Sequence, residues 1–202
     1  ISSRVEGGLV SLEMFDRSVS DYVFKSESII SGGIYDGFQL DREENSASAQ
    51  LRGMTFNWSQ PIRLPLLADG FSINTNFKKQ ETAIEYPDRP GEILPLASHP
   101  ESAMKISLNY ETSRLFAQLK FDQKDETIYR VSSDPEQDLY IAPRRYMALN
   151  VSYKLQDKTR WYMEWANVGN DPYSRTYEGD PMYAVTYQVR PWSLKTGMKF
   201  EL

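Results

Sequence analysis

The chain has no cysteine and a single histidine, His99, among its 202 residues. Without thiols there are no disulfides, no cysteine-ligated zinc and no cysteine nucleophile. A catalytic triad would have to be built around His99, which stands beside Pro100 in a loop-like stretch and has no Gly-x-Ser-x-Gly elbow to serve. It reads as an incidental loop residue, and the chain as a non-enzyme that calls for no cofactor. Long apolar runs are missing as well: no stretch reaches the roughly 18 consecutive apolar residues of a helical membrane span. So are clusters of positive charge. The net charge is -5, with Lys and Arg scattered, which removes the electrostatic footprint of a nucleic-acid partner. The first residue is Ile1, with neither a basic nor an apolar leader region, and the expectation is a removed signal or a C-terminal piece.

What is present is a two-residue beat. From Phe71 to Gln80 apolar and polar residues alternate at nearly every step, and the pattern recurs along the chain. Successive strand side chains point to opposite faces, so the pattern predicts long antiparallel strands with one greasy and one wet face. Lipid outside and water inside a membrane β-barrel match that split. A negative mean hydropathy does not oppose it, because barrel strands give lipid only every second residue.

Periodicity broken at Gly, Pro, Asn and Asp predicts about nine strands. The first two are placed at Leu9 to Phe15 and Asp21 to Ile30, with a short turn at Asp16 to Ser20. The third, Ser46 to Ser59, changes apolar phase near Arg52 and Gly53, which predicts a β-bulge. Strands then follow at Phe71 to Tyr86, Ala103 to Glu111, from Leu115 past Gln123, Met147 to Leu155 and Trp161 to Trp165, and a last one ends at Leu202. A second phase change, at Pro191, separates Tyr183, Val185, Tyr187 and Val189 from Trp192, Leu194, Met198 and Phe200. Short turns near Asp16, Thr112 and Lys158 alternate with long connections, the asymmetry of periplasmic turns and extracellular loops. Trp58, Tyr110, Tyr153, Trp161, Tyr162, Trp165 and Phe200 are expected near the short turns as an interfacial girdle.

Five places carry a family likeness: Leu12 to Phe15 before Asp21-Tyr22-Val23; Asn45 with Ala49 and Gly53; Leu149-Asn150-Val151-Ser152-Tyr153; Glu164 with Asn167, Asn170 and Tyr173; and Thr196-Gly197-Met198-Lys199-Phe200. In that order the sequence resembles the C-terminal part of the TonB-dependent outer-membrane receptors. Two departures are the missing acidic residue after Gly53 and a final Leu202 in place of the usual Phe. The resemblance implies an all-β, antiparallel transmembrane β-barrel, with residues 1–202 forming its C-terminal strands. The family barrel has about 22 strands around a plugged lumen, so the plug and the N-terminal strands would lie outside this sequence. It further implies an outer-membrane location, contact with outer-membrane lipid, coupling to the TonB complex through the plug region, and uptake of a scarce small-molecule solute such as a siderophore, haem, cobalamin or an oligosaccharide.

Ligand-facing candidates are the loop residues Asp88, Arg89, Arg130, Tyr140, Arg144, Tyr173, Arg175 and Tyr177, together with Tyr86. They combine amphipathic rings with forked donors suited to anionic or polyhydroxylated ligands. Asn74, Asn76, Lys78, Gln80, Gln118, Lys120 and Asn150 are expected on the lumen side. Asp134, Glu136 and Asp138 lack an EF-hand spacing and read as a solvated loop rather than a metal site. Two sequons, at Asn57 and Asn150, fall within strands and read as chance. Two other architectures share the alternation: a soluble β-sandwich binding module, disfavoured because its strands are typically about 5 to 6 residues, and a passive porin-type channel.

Overall fold

The computed structural model describes residues 2–5, 7–45, 48–63, 69–87 and 89–200. In chain order its strands are β1 (Ser2–Val5), β2 (Gly8–Ser20), β3 (Val23–Ile29), β4 (Gln39–Asn45), β5 (Ser48–Ile62) and β6 (Phe71–Glu85). Then come β7 (Ile93–Leu94), β8 (Ser102–Glu111), β9 (Leu115–Lys124), β10 (Thr127–Arg130) and β11 (Leu139–Ile141). The last are β12 (Arg144–Gln156), β13 (Thr159–Ala166), β14 (Ser174–Glu178), β15 (Ala184–Gln188) and β16 (Ser193–Phe200). A 3₁₀ turn at Pro135–Gln137 is the one helical element among the described residues.

The fold is all-β and antiparallel, as the alternation demands. Its main body is a wall in the order β1-β2-β5-β6-β8-β9-β12-β13-β16, with β7 on the edge of β6. Directly paired residues share a face, so the register can be followed across the sheet. Ile73, Leu108, Leu119, Leu149, Trp165 and Leu194 stand in one cross-strand row on the apolar face. On the opposite face the row one residue away is Ser72, Asn109, Gln118, Asn150, Glu164 and Lys195. That face is laced by side-chain hydrogen bonds: Asn109 Nδ2 donates to Ser72 Oγ (3.3 Å), Gln118 Nε2 to Asn109 Oδ1 (2.7 Å), Asn76 Nδ2 to Asn57 Oδ1 (2.6 Å) and Asn57 Nδ2 to Ser11 Oγ (3.2 Å). Both sequon asparagines therefore belong to the polar face. Among the described residues nothing covers the apolar face: Leu108, Leu119, Leu194 and Met198 are each at least 40% exposed.

Several boundaries differ from the sequence reading, each for a physical reason. Asp16 to Ser20 is no turn but the upper part of β2, paired with β5 as far as Ser20↔Ser48; outside an apolar layer a strand needs no greasy face. Residues 23–29 leave the wall to pair with β4 in a separate hairpin. Gly53 marks no bulge, since its pairing with Phe15 on one side and Gln80 on the other runs unbroken. A Cβ there would lie 2.8 Å from Gln80 Cα, so glycine lets β6 approach closely. The change of apolar phase reflects a change of surroundings. Below Gly53 the apolar residues Met54, Phe56 and Trp58 share the open face with Phe77, whereas above it Ala49 and Ile84 are buried on the other face.

The core sits there, on the polar side of the wall at its long-loop end. Phe24, Ala49, Ile84, Tyr86, Leu96, Ile128 and Val131 form it, with Leu51, Leu94 and Tyr140 packed alongside. Each buried aliphatic such as Ile84 or Leu96 contributes about 1.5–3 kcal/mol relative to exposure. Chain 86–101 builds this core by folding back over β6, where Thr82 Oγ1 accepts from Leu96 N (2.9 Å) and Gln80 Nε2 donates to the Pro100 carbonyl (2.9 Å).

At Pro191 the phase change is a real break. β15 belongs to a second sheet, β10-β11-β14-β15, that continues above β9, β12, β13 and β16. The Asn167 and Asn170 of the family-like motif make this break. Both have positive φ (51° and 52°); Asn167 Nδ2 donates to the carbonyls of Asp171 (2.8 Å) and Arg190 (2.7 Å), and Asn170 Oδ1 accepts from Trp192 N (3.2 Å). Short connections lie at the end marked by Thr112 and Lys158. Tyr110, Tyr153, Trp161 and Phe200 lie toward that end of the apolar face, whereas Trp165 is at the far end against Trp192 and Tyr162 lies on the polar face over Gly197. Glu201 and Leu202 lie outside the described residues.

Candidate functional site

Folding of chain 86–101 onto the polar side leaves a cleft between it, the β3–β4 hairpin and β10. Its volume is about 700 Å³, and Tyr22, Phe24, Tyr86, Tyr129, Arg42, Arg130, Glu43 and His99 line it. A cleft of that size, with four aromatic rings beside convergent polar and charged groups, suits a small-molecule ligand. Tyr86 is its floor. The ring, 1% exposed, meets Phe24 edge-on at 5.4 Å; its hydroxyl donates to the Pro95 carbonyl (3.2 Å) and accepts from Ala97 N (2.9 Å). Burial pushes the Tyr86 phenol up to about 12, against a smaller opposite pull from the Ala97 amide. His99 Nδ1 bonds the Ala97 carbonyl (2.8 Å), which can only accept, so Nδ1 carries the proton.

The described loop candidates do not converge on one place. Arg89 is buried and acts as a clamp: it pairs with Glu92, reaches Asp138 Oδ2 at 3.1 Å and donates to the Ser132 carbonyl at 3.3 Å, while Asp138 also accepts from Ser132 N (2.7 Å). Hydrogen bonding to Glu92 holds the guanidinium even more firmly protonated, and the same bond lowers the Glu92 pKa. Tyr140 and Tyr177 stack with centroids 5.4 Å apart, and the Tyr177 hydroxyl donates to Glu126. Burial raises the pKa of both phenols.

Arg144 and Tyr173 form another place, with Arg144 Cζ 4.5 Å from the ring centroid. Arg175 donates to the Pro143 carbonyl (3.1 Å) at the surface. Of the described candidates, Arg130, whose guanidinium lies 4.0 Å from Glu178, joins Tyr86 in lining the cleft itself. Asp88 lies outside the described residues. Asp134, Glu136 and Asp138 do not converge: Asp134 accepts from Glu136 N at the 3₁₀ turn, Glu136 is exposed and Asp138 is buried on Arg89. No grouping of metal-ligating side chains occurs among the described residues.

Sequence reasoning missed Tyr22, Phe24, Arg42 and Tyr129 as cleft residues. Their signal was weak because the hairpin that carries Phe24 and Arg42 reads as an ordinary strand followed by a glycine-rich turn. It also missed Arg190, whose Cζ lies 3.5 Å from the Tyr173 centroid.

No protein-family model matches the sequence, and no curated protein does. Solved structures do match in fold. The ferric enterobactin receptor PfeA of Pseudomonas aeruginosa, here as a mutant, superposes with a TM-score of 0.60 at 15% identity, over 98% of this chain and 29% of that one. The siderophore receptor PirA of Acinetobacter baumannii gives 0.61 at 13% identity, over 98% and 30%. The outer-membrane ferripyoverdine receptor of P. aeruginosa, bound to ferripyoverdine, gives 0.61 at 14% identity, over 96% and 25%. This chain thus spans between a quarter and a third of those receptors. Its nearly complete superposition on a part of each shows that it shares the all-β, antiparallel fold of that part.

Proposed function

We propose that residues 1–202 are the C-terminal part of the barrel of a TonB-coupled outer-membrane receptor that imports a scarce, anionic solute of the ferric-siderophore kind. The observation that carries this reading is the reversal of amphipathicity along β5 and β6. Apolar residues face out through one band, with hydrogen-bonded polar rows inside it, and above that band they turn inward to form the floor of the cleft. A soluble sandwich would cover both bands, whereas an uncovered apolar face backed by a wet one is what a lipid-bathed wall needs.

In this reading the long connections are extracellular, the cleft of Arg42, Arg130 and four aromatic rings captures the solute, and the polar rows line the passage. Forked guanidiniums with amphipathic rings suit a chelate that carries oxygen charges on an aromatic or peptide frame. Plug and N-terminal strands are supplied by the rest of the polypeptide, and the energy by the TonB complex acting on the plug. Siderophores stand first among the solutes because the neighbours named above are receptors for them. A strain lacking the full-length protein, grown under iron chelation with single ferric siderophores, tests the reading. Loss of growth on one siderophore, restored by the intact gene and not by an Arg42→Gln/Arg130→Gln double variant, supports it. Unaltered uptake of every solute tried, with a protein that carbonate strips from membranes, contradicts it.

A further inference from the structure

The pair Arg144 and Arg190 is the strongest charged feature not used by the cleft. Both guanidinium carbons lie against the Tyr173 ring, at 4.5 and 3.5 Å from its centroid, so the two cations are at most about 8 Å apart. Like charges at that separation repel, and the ring faces offset only part of it. Among the described residues no carboxylate is within ion-pair distance of either guanidinium. The nearest acidic residue in sequence, Asp171, has its carboxylate turned to the Arg145 amide at 2.8 Å. A third cation adds to the patch, since Lys124 is paired directly with Arg144 on the same polar face.

The backbone that carries these groups is fixed. Asn167, 7% exposed, holds the Arg190 carbonyl at 2.7 Å and the Asp171 carbonyl at 2.8 Å, and Tyr173 N donates to the Gln188 carbonyl at 2.9 Å. Two forked donors are thus brought together on one ring with their charge uncompensated, Arg144 half-buried and Arg190 exposed.

We propose that Arg144, Tyr173 and Arg190 form a second binding site, for a carboxylate or phosphate oxyanion presented to the polar face of the wall, separate from the aromatic cleft. The site rests on the receptor reading in one respect, that the polar face is open to solute. A group with two or more oxygens bridges the two forks, which relieves their repulsion and satisfies donors that the described residues leave open. Tyr173 is the positioning residue that sets their spacing.

The test is arginine modification by phenylglyoxal in isolated membranes that hold the full-length protein, read residue by residue by mass spectrometry, with inorganic phosphate as the probe and chloride at equal ionic strength as the reference. Occupancy slows modification by one plus the ratio of ligand to dissociation constant, so Arg190 is expected to slow about threefold at phosphate twice that constant. Arg175, exposed and bonded to the Pro143 carbonyl, is expected to be unaffected. Tyr173→Leu and Arg144→Gln, checked for intact heat-modifiable migration, are each expected to abolish the protection of Arg190.

Equal slowing of Arg190 and Arg175, or none, overturns the proposal. So does an Arg190 that resists the reagent before any anion is added, because a carboxylate of the same polypeptide then already holds it. The assay needs no transport. Phosphate protection without any solute uptake would leave the oxyanion site standing and remove the receptor reading.

Discussion

β5 and β6 each cross two regions whose chemistry is opposite. In the lower region Met54, Phe56 and Trp58 face outward in register with Thr75, Phe77 and Lys79, and Asn57, Ser59, Asn74 and Asn76 face inward. In the upper region the outward row is Asp16, Arg52 and Glu81, and the inward residues are Ala49, Leu51 and Ile84. The backbone pairing does not change between them. What changes is the medium on each side: a side chain's face is dictated by what lies beyond it, so the apolar set of a continuous strand changes sides where its surroundings do.

The largest expected effect comes from placing charge on the apolar face of the lower region. If the apolar face meets lipid, Leu119→Arg is expected to cost about 2–4 kcal/mol near the middle of a bilayer, read as loss of heat-modifiable, folded protein from membranes. Gln118→Arg, one residue away on the wet face, is expected to leave the yield unchanged. Equal losses would mean that Leu119 faces a protein core.

The upper region fails in another way, by opening locally. Tyr86→Ala removes the ring against Phe24 and two hydrogen bonds, and truncation of a buried aromatic costs about 3–5 kcal/mol. Proteolytic nicking within residues 86–101 is the expected result, with the wall still folded. Nicking accompanied by loss of the wall would show that the two regions are not independent.

Proton linkage sharpens the same contrast. The buried Tyr86 phenol has its pKa raised from 10.0 to about 12, worth roughly 3 kcal/mol. A folded-state value above the unfolded one means that this contribution is complete below pH 10 and is lost as pH rises through about 12. Glu92 has the opposite sign: its pKa is lowered by the bond to Arg89, so its contribution is present above its ordinary range and is lost as pH falls through the lower, folded value. Protection factors of the 86–101 amides, with the intrinsic pH dependence of exchange divided out, are therefore expected to fall at both extremes while those of the β8–β9 amides do not change. Tyr86→Phe should remove the alkaline limb alone.

The smallest effect is expected at Arg52 and Glu81, paired at 2.6 Å but with both side chains largely exposed. Screening by solvent makes such pairs weak. Arg52→Gln is expected to leave thermal stability unchanged, and a clear loss would place this row in a drier setting than its exposure implies.

Much of the wall was legible in the sequence because alternation survives wherever a strand has one open apolar face and one hydrogen-bonded polar face. β6, β8, β9, β12 and β13 lie within a few residues of their expected positions. The short turn at Thr112 was legible for a local reason, its Oγ1 accepting from the amides of Arg114 (3.3 Å) and Leu115 (2.9 Å). β1 was not legible, because Ser2–Val5 has no alternation to read. The upper part of β2 was misread because Asp16, Ser18 and Ser20 are turn-forming types, although pairing with β5 holds them extended.

Of the loop candidates, sequence pattern found rings and guanidiniums but not their partners. Arg89 is held by residues as far away as Asp138, and Arg144 meets Arg190 only because Asn167 and Asn170 break the chain between β13 and β16. Such contacts depend on loop paths that no local periodicity encodes.

These 202 residues have no cysteine, so with any cysteine elsewhere in the polypeptide replaced by serine the central claim is directly measurable. Single cysteines placed along β5 in the full-length protein and spin-labelled can be tested against membrane-soluble oxygen and a water-soluble nickel chelate. Positions 54, 56 and 58 are expected to collide with oxygen, 57 and 59 with the nickel chelate, and 49 and 51 with neither. Protection of 54, 56 and 58 from both reagents, or oxygen collisions at 49 and 51 equal to those at 56, would contradict the account.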